Sequence, residues 1–200
     1  MEASKKKIGI FGGTFDPVHN GHLSIAKSFL RSGFIDTLWI LLTPSPPHKE
    51  DHKSPYALRF KMLSDVFESI DNVIVSDVEQ KLSSPSYTVN TIEYLQELHP
   101  EYQFYLCLGK DSYRNFENWH RWQKILEHTE ILVAERPIDV QHSNKIHQKI
   151  TPKAHFIDHA PVNISSTEVR KRLKKGEPVE TMVPASVLKT ISKNNLYQGI

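Results

Sequence analysis

The chain has 200 residues, 38% of them hydrophobic, which is enough for one domain, residues 1–200, with a core that stands without staples. Its 25 Lys and Arg against 23 Asp and Glu leave a formal net charge of +2, too near balance for a broad nucleic-acid footprint. The single cysteine, Cys107, excludes an internal disulfide and suits a reducing cytosol, and no apolar stretch approaches the roughly 20 residues that span a bilayer.

Taken in order, apolar β-rich runs alternate with helical patterns. Ile8 to Phe11 predicts a strand after a basic start that lacks the apolar region of a secretory signal. A glycine-rich turn and a helix over about 22–31 follow. Leu38 to Leu42 is a second strand, ended by the proline turn Pro44-Ser45-Pro46-Pro47-His48-Lys49. Leu58, Met62, Val66 and Ile70 recur at helical spacing. Val73 to Val75 is a short strand, and Val89, Ile92, Leu95 and Leu98 mark the next helix. Phe104 to Leu108 predicts a central strand, with Cys107 as a small buried hydrophobe. Ile131 to Ala134 is another strand, stopped by Arg136-Pro137, and His155 to Ile157 is a last short one. Two helices, about 166–175 and 184–193, close the chain. Strands joined by helical crossovers imply a doubly wound, Rossmann-like parallel sheet with helices on both faces and a small C-terminal helical part. In such sheets ligands bind at the carboxyl ends of the strands.

The most telling stretch lies at the first strand end: Gly9-Ile-Phe-Gly-Gly-Thr-Phe-Asp-Pro-Val-His-Asn-Gly-His22. Gly12 and Gly13 let the backbone approach a ligand, and the N–H groups of the following helix favour an anion there. His19 and His22, three apart, would share one face of the first helical turn. A phosphate cradle with two imidazoles beside it is the implied chemistry. Near the C-terminus, Ile164-Ser165-Ser166-Thr167 precedes a helical pattern, with Arg170 one turn in. Ser166 or Thr167 reads as its N-cap; the alternative is that the same groups with Arg170 form an anion site. Ser86-Tyr87-Thr88 opens a helix, Gly109 and Asp111 end the central strand, and Trp119 by spacing alone reads as core.

These segments together resemble the bacterial nicotinate-nucleotide adenylyltransferases, of the nucleotidyltransferase superfamily with an H-x-G-H motif. The first stretch and Ile164-Ser-Ser-Thr-x-x-Arg170 are superfamily-wide; Pro46-Pro-His-Lys49, Ser86-Tyr-Thr-Val89 and Asp111-Ser112 with Trp119 narrow it. The resemblance spans nearly the whole chain, to the ending Leu196-Tyr197. It implies a cytoplasmic enzyme of NAD biosynthesis, monomer or homo-oligomer, that joins ATP and nicotinate mononucleotide to give deamido-NAD and pyrophosphate, with Mg²⁺ carried in by ATP and no dedicated metal site. By the same resemblance His19, His22 and Arg170 are catalytic. Gly12, Gly13, Thr14, Phe15, Gly109, Asp111 and the Ile164–Thr167 segment would join them in holding ATP. His48, Lys49, Tyr87, Thr88, Trp119 and His120 would hold the pyridine nucleotide. Lys110 stands where the family usually has a small or neutral residue, and Ile138-Asp139 where it has Gly-Tyr. Other readings are a phosphopantetheine adenylyltransferase, a cytidylyltransferase, or a nucleotide-binding module without turnover. A class I aminoacyl-tRNA synthetase fragment would need a Lys-Met-Ser-Lys-Ser-type loop, which is absent.

Overall fold

The computed structural model describes residues 5–45, 54–135, 151–160 and 162–198. Six strands form one parallel sheet: β1 (Lys6–Gly13), β2 (Thr37–Leu42), β3 (Val73–Ser76), β4 (Tyr102–Gly109), β5 (Thr129–Glu135) and β6 (Ala154–Asp158). Their order is β3-β2-β1-β4-β5-β6, with every neighbouring pair parallel. Connectivity reverses between β1 and β4, and the crevice at that switch point is where such sheets take ligands.

The side chains of the strands alternate between two cores, as the period of 2 demands. Phe11, Leu38, Ile40, Leu42, Tyr105 and Cys107 face one layer. That layer is filled by α1 (Asn20–Arg31), α2 (Tyr56–Phe67), α6 (Ser166–Lys174) and α7 (Ala185–Lys193), through residues such as Phe29, Met62, Val169 and Val187. Ile8, Ile10, Leu41, Leu106, Leu108 and Val133 face the other, covered by α3 (Thr88–Leu98), α4 (Lys110–Arg114) and α5 (Trp122–His128). Burying one such side chain completely contributes about 1.5–3 kcal/mol, so the sheet is held from both sides. Cys107 is buried and burial pushes its thiol pKa up, as fits a small hydrophobe.

The strands and long helices expected from the sequence are present, each starting within two residues of the expected position. The segment between β4 and β5 differs. The sequence there shows no periodic apolar run, and in the structure two short helices flank a 3-10 turn at Phe116–Asn118. Each is one or two turns long, so a periodic apolar stripe never develops. On α2 the buried stripe is Arg59, Met62, Leu63, Val66 and Phe67. Leu58, expected on it, is only half-buried.

Candidate active site

β1 delivers Gly12 and Gly13 to the carboxyl edge of the sheet, and the chain then turns through Thr14–Val18 into α1. The helix starts at Asn20, two residues before the expected position, and His19 is its N-cap, in extended backbone at φ −144° and ψ 171°. Its Nδ1 accepts the His22 N–H at 3.4 Å, and His22 Nδ1 accepts the His19 N–H at 3.2 Å. This is a capping box built from two histidines instead of Ser and Glu. It brings the rings into a stack, centroids 3.7 Å apart and 23° from parallel. With Nδ1 accepting in both, each neutral ring carries its proton on Nε2 as a donor. Desolvation lowers the His19 pKa to about 4, so this ring is neutral at pH 7. Gly21 is required between them: a Cβ there would stand 3.0 Å from the His19 ring and 3.5 Å from the Ile164 carbonyl. At Gly12 an added Cβ would meet nothing within 4 Å, because that face opens on the cavity described below.

The turn itself is braced from distant parts of the chain. Phe15 is left-handed at φ 44°, a conformation a non-glycine residue keeps only when its surroundings over-determine it. Arg59, 2% exposed, donates to the carbonyls of Thr14 (2.8 Å), Thr43 (3.0 Å) and Ser54 (3.0 Å). It thereby ties the ends of β1 and β2 together. The Asp16 carboxylate is buried and accepts the Tyr197 hydroxyl and, at 3.4 Å, the Ser54 N–H. Arg170 donates to the Asp16 carbonyl at 2.7 Å and Ser166 Oγ to the Pro17 carbonyl at 3.0 Å. Asp16, Arg59 and Tyr197 went unmarked as site residues in the sequence. The available signal was a charged residue on an apolar helix stripe, in the case of Arg59.

The second motif packs directly under the first. α6 is capped by Ser165, whose hydroxyl accepts the Glu168 N–H at 3.1 Å, and not by Ser166 or Thr167 as the sequence suggested. The shift of one residue frees Ser166 to reach Pro17, while Thr167 Oγ1 accepts from Arg170 at 3.5 Å. Ser165 to Arg170 and the histidine turn therefore form one continuous surface.

A cavity of about 580 Å³ opens beside this turn, lined by Gly12, Gly13 and Thr14 from β1 and its exit, and by Leu106, Leu108 and Asp111 from β4 and α4. Its far wall carries Tyr87, Thr88, Trp119 and His120. Tyr87 is the N-cap of α3 and makes no side-chain cap hydrogen bond. The dipole of that helix therefore points its positive end at the cavity without a capping side chain. Trp119 leans on Phe116 at 5.4 Å between ring centroids, and His120 lies on Tyr87 at 4.3 Å. Arg121, at φ 52°, turns the chain sharply after this pair into α5. Asp111 sits in the first turn of α4, whose N-cap is Gly109. Glu79 also lines the cavity, buried, with its carboxyl pKa raised by desolvation and Thr91 Oγ1 donating to it at 3.0 Å. Lys110, unusual in sequence, is accommodated by the buried Glu135 carboxylate 2.8 Å away at the end of β5. His48, Lys49 and Arg136 lie outside the described residues.

Residues 10–172 match the cytidylyltransferase-like family. The probable nicotinate-nucleotide adenylyltransferase of Flavobacterium johnsoniae is 35% identical, over 96% of this chain and 99% of that protein. The Shewanella baltica protein of the same description is 33% identical over the same shares. Among solved structures, the Plasmodium falciparum nicotinic acid mononucleotide adenylyltransferase complexed with NaAD superposes with a TM-score of 0.78 at 25% identity. It covers 96% of this chain and 97% of that one. No helix among the described residues is long and apolar enough to cross a membrane.

Proposed function

We propose a residue-level account of catalysis for this chain, which belongs to the nicotinate-nucleotide adenylyltransferases within the cytidylyltransferase-like family. The protein is an enzyme, a nucleotidyltransferase of NAD biosynthesis that joins ATP to nicotinate mononucleotide, giving deamido-NAD and pyrophosphate. In the reaction a phosphate oxygen of the mononucleotide bonds to the α-phosphorus of ATP while the bond from that phosphorus to the bridging oxygen of pyrophosphate breaks. Both partners arrive as phosphates, so no side chain need act as nucleophile, and positioning and charge stabilisation carry the rate.

In this reading His19 and His22 present Nε2–H groups to the ATP phosphates as charge develops. Gly12 to Phe15 allow close backbone approach. Gly109 and Asp111 flank the ribose or adenosine, and Ser165 to Thr167 with Arg170 receive the β- and γ-phosphates. The Arg170 guanidinium already holds the Asp16 carbonyl, which leaves its fork fixed in direction. The pyridine nucleotide enters the cavity, with Trp119 stacking on its ring. Its carboxylate meets the α3 N-terminus at Tyr87 and Thr88 and the backbone near His120. His48 and Lys49 are proposed for its phosphate. The observation that carries this half is the missing side-chain cap of α3, which presents a positive helix end to an apolar cavity where an aromatic acid has to be held.

Mg²⁺ is proposed to enter as MgATP, held by phosphate oxygens and water. A cytoplasmic setting is proposed on the reduced, buried Cys107. Pyrophosphate release from MgATP and nicotinate mononucleotide tests the whole assignment. Chelation should abolish turnover while leaving the apo-protein Tm unchanged; a Tm drop on chelation would point to a resident metal instead.

A further inference from the structure

We propose that Tyr197 is a positioning residue for the phosphate turn, acting through the buried Asp16 carboxylate to hold His19 and His22 in place. The proposal rests on the role given above to those two histidines. Asp16 is 5% exposed and stands three residues before His19, with only Pro17 and the fully buried Val18 between them. One carboxylate oxygen accepts the Tyr197 hydroxyl, and the other accepts the Ser54 N–H. A displacement of Asp16 therefore passes straight into the histidine cap.

The way the chain reaches this contact argues for a specific purpose. After α7, Asn195 and Tyr197 are both left-handed, at φ 49° and 63°, although neither is glycine. The Leu196 N–H turns back to the Ile191 carbonyl at 3.0 Å, and Leu196 and Tyr197 pack against the core. Asn195 and the Leu196 bond close α7 as an ordinary Schellman cap, and the one unfavourable conformation, at Tyr197, delivers its hydroxyl to the Asp16 carboxylate. Covering apolar surface would need only the ring, and Phe would serve. Arg170 reaches the carbonyl of the same Asp16, so tail and α6 meet on one residue of the turn.

The test is Tyr197→Phe, which keeps the ring and its packing and removes only the hydroxyl. The variant should lose about tenfold in kcat, the effect of one hydrogen bond to a charged group, with both KM values within about twofold of the parent. The imidazole nitrogen resonances of His19 and His22 should shift. Parent-like kcat together with unmoved imidazole resonances would reduce Tyr197 to a tail anchor and overturn the proposal, whatever happens to Tm. Should the parent itself release no pyrophosphate with nicotinate mononucleotide, the assigned reaction fails. The imidazole resonances would then decide the role of Tyr197 alone, a shift supporting it and no shift overturning it.

Discussion

Around residues 14–18 five hydrogen-bond acceptors are met from within the protein. The carbonyls of Thr14, Asp16 and Pro17 and both carboxylate oxygens of Asp16 accept from Arg59, Arg170, Ser166, Tyr197 and Ser54. Across the cavity the plan is reversed: α3 starts without a side-chain cap, and Trp119, half-buried, and His120, exposed, line the wall. The difference separates two tasks. Charge that appears only in the transition state is best met by donors that need not move at that moment. A substrate that has to enter, be recognised and leave as part of a larger product is better met by a concave, mostly apolar wall with few fixed polar points.

Removing a donor from the braced half should cost most. His22→Ala is expected to lower kcat about 10²–10³-fold, as for loss of one transition-state donor, with the fold retained. Near-parent turnover would take His22 out of the mechanism. Next is the pH response of the same pair. Folded His19 titrates at about 4 against 6.5 for an ordinary histidine, so the unfolded chain takes up the proton first as pH falls. Stability should drop as pH goes from about 6.5 towards about 4, by up to about 3 kcal/mol from this group. His19→Asn keeps a competent N-cap and should lack that component. A parent-minus-variant Tm difference that is flat across this range would show His19 to be ordinary. In the open half, Trp119→Ala should raise KM for the pyridine nucleotide about tenfold, the worth of one stacked ring, and leave KM for ATP nearly unchanged. Equal effects on both would make Trp119 a core residue and dissolve the contrast between the halves.

The sheet was legible because its strands are short apolar runs broken by prolines and glycines, and buried parallel strands leave that signature. The turn was legible because glycines and paired histidines at that spacing have few other uses. The helix expected from about residue 22 starts at Asn20, with His19 as its cap, and imidazole capping leaves no distinct pattern beside the commoner Ser or Asp. The α6 cap was assigned one or two residues late for a related reason: three consecutive hydroxyls offer three registers, and only the packing of Ser166 on Pro17 chooses. Asp16, Arg59, Glu79 and Tyr197 make bonds that reach up to 181 positions along the chain, and apart from the Arg59 bond to Ser54 each partner lies 12 or more positions away.

In the proposed assignment the braced half holds ATP and the open half selects an acidic pyridine ring. It is tested most directly by kcat/KM with ATP against nicotinate and nicotinamide mononucleotides side by side. A clear preference for the acid, kept when the Trp119 side chain is removed because the carboxylate is met at the α3 N-terminus, is the predicted result. Comparable values for the two mononucleotides in the parent enzyme would contradict it.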